Sequence, residues 1–198
     1  MVPLFRLPIA LLAALLSSVS VNVTASISPD QVAVIVNGND DASREIADYY
    51  VNRRGIPAAN LIEVDLPVRD AISKNTFVRV FGKLEQATPA TVQYYALAWS
   101  RPYKAGCMSI TSAVSFGYDE SYCAKGCKPT RRSVYYNADS DEPWDEHGVR
   151  PSMMLAGRSV EKVKAMIDRG VASDASKTGE TTYLMRTSDC NRNERSWC

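Results

Sequence analysis

The chain has 198 residues, with 23 basic and 22 acidic side chains, a net charge of +1 and 45% hydrophobic content. That length suits one domain with a real core. The balanced, mixed charge excludes a general electrostatic footprint for nucleic acid or for anionic membrane surfaces.

Met1 to Arg6 forms a short n-region with one positive charge, and Leu7 to Val21 is an apolar core. Val23-Thr24-Ala25 then places small residues at the two positions a signal peptidase reads. These are the parts of a secretory signal, and cleavage is expected after Ala25. Ser17, Ser18 and Ser20 interrupt the apolar run, which is too short to span a bilayer comfortably, and no cysteine follows it to carry a lipid. The expectation is a signal peptide over 1–25 and a single domain over 26–198. That domain is expected to be secreted or periplasmic, with no stable membrane anchor.

Val32 to Val36 is an unbroken β-branched and apolar run between Pro29 and Gly38, which predicts a buried strand. The turn cluster Asn37 to Asp41 leads into a predicted helix, Ala42 to Arg54. Its apolar side carries Ala42, Ile46, Ala47, Tyr50 and Val51, and Arg44, Glu45, Asp48, Asn52 and Arg53 face away. Asp40 or Asp41 is placed to cap it, and Gly55 and Pro57 to stop it. Asn60 to Leu66 alternates as a second strand. Ser73 is a fair N-cap for a second helix, with Ile72 stapled onto Phe77 and with Phe77, Val80, Phe81 and Leu84 at helical spacing. Val92 to Trp99 is a third, aromatic-rich strand. Strand, helix, strand, helix, strand with connections of this length favours parallel pairing and right-handed crossovers.

Arg101 to Pro151 has no long periodic segment. It holds Cys107, Cys123 and Cys127, the acidic stretch Asp139 to Glu146, and Ile110 to Phe116 as a short helix or strand. Such long irregular loops tend to be functional or mobile. Regular structure returns with a strand over Ser152 to Ala156. A helix capped by Ser159 follows, with Val160, Val163, Met166 and Ile167 on one face and Gly170 as its end. Thr181 to Thr187 is a last strand. It carries apolar groups on both faces, yet Ser188 to Cys198 cannot form a covering layer, so an exposed apolar patch or sheet edge is expected there.

All five cysteines follow the signal, and in an oxidising compartment disulfides are the default. Five is odd, so at least one thiol is left over or pairs between chains. Cys107, Cys123 and Cys127 are the disulfide candidates, with Cys107 pairing to either of the other two. Cys123-x3-Cys127 with the distant His147 does not have the spacing of a zinc site. Asp139, Asp141, Glu142, Asp145 and Glu146 do not match the twelve-residue calcium loop, and a solvated acidic loop is the better reading. No metal site and no cofactor are expected. Lys125, Lys128, Arg131 and Arg132 form the one dense basic spot, read as a solvated loop.

Several segments carry a resemblance: VNGNDDASREIADYYVNRRGIPAANLIEVDLP, ITSAVSFGYDESYCAKGCKPT, RPSMMLAGRSVEKVKAMIDRGVASD and YLMRTSDCNRNERS. With their N-x-N-D, YY-x3-RGIP-x2-N and TSD-x2-RN-x-R motifs they resemble a family of bacterial secreted proteins to which no activity is assigned. The resemblance implies that members continue well past the last motif, so that this chain is truncated at its C-terminus relative to them. It implies no catalytic residue.

The functional candidates cluster after strands. In open parallel sheets, ligands bind at the carboxyl ends of strands, and helix N-termini attract anions. Asn39 and Asp40 follow the first strand, though a single Gly38 is no phosphate loop and capping is the stronger role for Asp40. Arg101, Arg158, Asp189 and Arg192 also follow predicted strands and would meet on one rim. Asn39, Asp40, Arg101, Asp189 and Arg192 are therefore the ligand-binding candidates. The alternation with a long inserted loop also looks like caspase-type peptidases, which place a histidine after a central strand and a cysteine after the next. Here Ser100-Arg101-Pro102 follows the third strand, and Cys107 with His147 is the one available dyad. The reading is an α/β protein with a mainly parallel sheet of about five strands flanked by helices and a long Cys-containing loop. It is exported and binds a ligand or partner through its strand ends, with a caspase-like cysteine hydrolase as the alternative.

Overall fold

The computed structural model describes residues 27–123 and 129–174. In chain order the elements are β1 (Val32–Asn37), α1 (Asp41–Arg54), β2 (Leu61–Val64), β3 (Ala71–Ile72), α2 (Lys74–Ala87), β4 (Tyr94–Leu97), β5 (Lys104–Ala105), β6 (Met108–Ser109), α3 (Ile110–Phe116), α4 (Pro143–His147), β7 (Ser152–Met154) and α5 (Val160–Ala172). Four strands form one all-parallel sheet in the order β2-β1-β4-β7. The expected α/β architecture is present with four described strands; the segment Thr181 to Thr187 lies outside the described residues.

The sheet is covered on both faces, which is why β1 is apolar without alternation. Ala33 and Ile35 point to one face, where α2 and α3 supply Phe77, Leu84, Ile110, Ala113 and Val114. Val34 and Val36 point to the other, where α1 and α5 supply Ile46, Ala47, Val163 and Ile167. β2 is an edge strand and does alternate: Ile62 and Val64 are buried, Leu61 and Glu63 exposed.

Local chemistry sets the helix ends. Asp40 rather than Asp41 caps α1, its carboxylate accepting from Ala42 N at 3.1 Å, and Gly55 closes the helix in the left-handed region at φ 64°. Ser73 caps α2 through Thr76 N at 3.1 Å. Ser159 caps α5, but the helix does not end at Gly170 and runs on to Ala172. Val171 packs into the core beyond Gly170, and that burial outweighs the glycine's weak helix propensity.

The middle segment is more ordered than its sequence implies. Ile110 to Phe116 is helical. β5 and β6 form a tight hairpin that joins β3 in a second, three-stranded sheet. Two-residue strands are too short for hydrophobic periodicity to reveal, and over seven residues it leaves helix and strand both open. Gly106 sits in the hairpin turn at φ 51°, under the Tyr118 ring, where a side chain would collide. Beside it, Cys107 is disulfide-bonded to Cys123, with Cα atoms 5.6 Å apart. The bond ties the segment after α3 to the hairpin and carries Cys123 into the core. Cys127 lies outside the described residues.

Candidate functional site

The strand order defines where a ligand crevice can open. From β1 the chain crosses through α1 to β2 on one side, then returns through α2 to β4 on the other, with α1 and α2 on opposite faces. The carboxyl ends of β1 and β4 are thus a topological switch point, the place where open α/β sheets generally take their ligands. Register pairs Ile35 with Leu97, and Leu97 with Met154, so the loops after β1, β4 and β7 share one rim.

Asn37 closes β1 and is fully buried. Its backbone N–H donates to Ser43 Oγ at 2.8 Å. Its Oδ1 accepts from Leu66 N at 3.0 Å and from Asn39 N at 3.3 Å. Its Nδ2 has no partner among the described residues. A buried amide hydrogen left unpaired costs about 1–3 kcal/mol. Gly38 N donates to Val64 O at 2.8 Å, and Gly38 O accepts from Arg44 at 2.7 Å, while Arg44 also pairs with Glu63 at 2.5 Å.

On the neighbouring loop, Ser100 Oγ bridges to the loop after β7. It donates to Gly157 O and accepts from Gly157 N, each at 3.2 Å. Trp99 is buried and its indole N–H donates to Pro102 O at 2.9 Å. The Arg101 side chain is 60% exposed and pairs with Asp70 at 3.1 Å. Asp70 also holds the Tyr103 phenol, raising its pKa by hydrogen bonding to the neutral form. Arg158 is exposed and makes no ion pair among the described residues.

The structure therefore brings Asn39, Asp40, Arg101 and Arg158 to the ends of adjacent parallel strands. Asn39 is engaged by Leu66 O at 3.3 Å, Asp40 by its capping role and Arg101 by Asp70, which leaves Arg158 as the rim arginine without an ion pair among the described residues. Asp189 and Arg192 lie outside the described residues. Asn37 and Ser43 were not among the sequence candidates. Ser43 sits on what reads as the polar edge of α1, and only its bond to Asn37 N explains its burial.

Cys107 and His147 do not form a dyad. The Cys107 sulfur is bonded to Cys123 and takes a 3.3 Å contact from Tyr118 OH. His147 ends α4, 3.7 Å from Glu146 and with its ring 5.9 Å from Tyr135. Ser100 follows β4 and Gly157 follows β7, where a caspase-type site would hold its histidine and cysteine. In the acidic stretch, Asp145 accepts from Gln93 at 3.0 Å. Among the described residues no group of His, Cys, Asp or Glu is arranged to hold a metal ion, and no helix is long and apolar enough to cross a membrane.

No family model, curated protein or solved structure matches this chain. Its class rests on its own architecture: a doubly wound α/β protein with a polar rim at the switch point of its sheet.

Proposed function

We propose that this chain is exported and binds a small polar ligand at the carboxyl-end rim of its parallel sheet. The observation that carries the reading is the switch point between β1 and β4, with the buried Asn37 behind it and Arg101 flanking it. Ser100 supports it by pinning the loops after β4 and β7 together, which pre-organises the rim. The Cys-containing segment borders this rim through Asp70 and the β5–β6 hairpin. Export is supported by the leader over 1–25 and by a disulfide suited to an oxidising compartment. The resemblance to a family of bacterial secreted proteins rests on the N-x-N-D, YY-x3-RGIP-x2-N and TSD-x2-RN-x-R motifs.

Two measurements test the proposal. N-terminal sequencing of the exported protein should begin at Ser26; an intact Met1 on protein recovered from the cytoplasm would overturn export. Chemical-shift mapping against a panel of small polar compounds should perturb amides in 37–40, 98–101 and 155–159 together, and Arg101→Ala should weaken that response. Binders that perturb only other regions would sink the rim assignment.

A further inference from the structure

A second cleft lies at the opposite, amino end of the sheet. It encloses about 140 Å³, and its wall includes Arg150, Trp144, Tyr95, Phe81, Phe116 and Glu85. One ordered water needs roughly 10–15 Å³ by a comparable measure, so the space admits a small organic molecule.

Arg150 is only 5% exposed. It immediately precedes the residues that lead into β7, and its Nε donates to Val92 O at 2.9 Å. Trp144 lies face-on to the guanidinium at 3.4 Å, and the Tyr95 ring is 5.6 Å away. The stack is built from a buried support. Gln93 accepts from Trp144 N at 2.9 Å and donates to Asp145 at 3.0 Å, fixing α4 over the arginine. Burial lowers the affinity of Arg150 for its proton, yet a guanidinium is too basic to become neutral near pH 7. Among the described residues no carboxylate lies within 4 Å of it. Glu85 and Asp145 attract it from beyond that distance and the Tyr95 hydroxyl hydrogen-bonds to it, yet burial outweighs these, which leaves the cation incompletely compensated.

We propose that this cleft binds a small organic monocarboxylate, with the carboxylate on the Arg150 guanidinium and the carbon chain against Phe81 and Phe116. The planar donor edge of an arginine matches a carboxylate, and the aromatic walls match a short apolar tail. Glu85, exposed at the last turn of α2 on the wall of the cleft, disfavours dianions. The site is independent of the switch-point rim, which lies at the other end of the strands.

The test is calorimetric and fluorescence titration of the exported full chain with acetate, propionate and sulfate at constant ionic strength. Saturable binding of acetate and propionate is expected, tighter for propionate, with sulfate much weaker. Arg150→Lys keeps the charge but loses the planar edge, and should weaken propionate by about tenfold. Glu85→Gln, at an exposed position, should tighten it by roughly threefold, the range of an exposed charge interaction. If Arg150→Lys fails to fold, the Glu85→Gln comparison decides. Absence of saturable binding, sulfate binding as tightly as propionate, or propionate affinity indifferent to Glu85→Gln would each overturn the proposal; in the first case Arg150 serves only to stack under Trp144.

Discussion

Replacing both Cys107 and Cys123 by alanine probes how the irregular middle of the chain is held. The bond closes a loop with a sequence separation of 16, and constraining such a loop removes unfolded-state entropy equivalent to about 3 kcal/mol at 25 °C. Cys123 is also buried in the core, so loss of its sulfur adds a small packing term of the same sign. For a domain of this size a loss of about 3 kcal/mol lowers the melting temperature by roughly 6–12 °C. Urea unfolding of the oxidised wild type and the double variant, fitted with a common slope, measures the difference directly. A double variant within about 0.5 kcal/mol of wild type would refute the reasoning, as would mass mapping that finds Cys107 and Cys123 both alkylatable in the folded protein.

Trp99→Phe removes the donor to Pro102 O from a buried site, and a loss of about 1–3 kcal/mol is expected in the same urea assay. Gly55→Ala forces a side chain into the left-handed region at φ 64° and should cost about 1 kcal/mol, read as a lowered melting temperature. Asp119 accepts from Ser121 N at 2.8 Å and faces Arg131 at 3.0 Å, and these bonds, the Ser121 bond first, hold its carboxyl below the ordinary range. A depressed folded pKa contributes stability that is complete above the unfolded value, about 3.9, and is lost as pH falls through the folded value. Asp119→Asn should therefore be less stable than wild type at pH 6, with the gap closing below about pH 3 in melts across that range.

The elements of the α/β core were legible because each signals itself locally. The unbroken run Val32 to Val36 announces a strand covered on both faces, and the capping residues Asp40, Ser73 and Ser159 sit where their helices begin. The expectation of a disulfide within the cysteine cluster was also local, since Cys107 and Cys123 are near neighbours in the chain. Three features needed the tertiary structure. Strand order depends on which side of β1 each crossover lands, a choice made by packing α1 with α5 on one face and α2 with α3 on the other. Cys107 took Cys123 rather than Cys127 because the hairpin turn at Gly106 and the turn after Asp119 converge there. Arg150 differs in no local way from exposed Arg158, both lying in loops that flank β7. Its burial follows from the return of the chain to the sheet at β7, which draws it beneath Trp144. Hydrophobic pattern and capping act over a few residues and can be read along the chain. The meeting of side chains far apart in sequence is set by how the layers close on one another, and no local pattern encodes it.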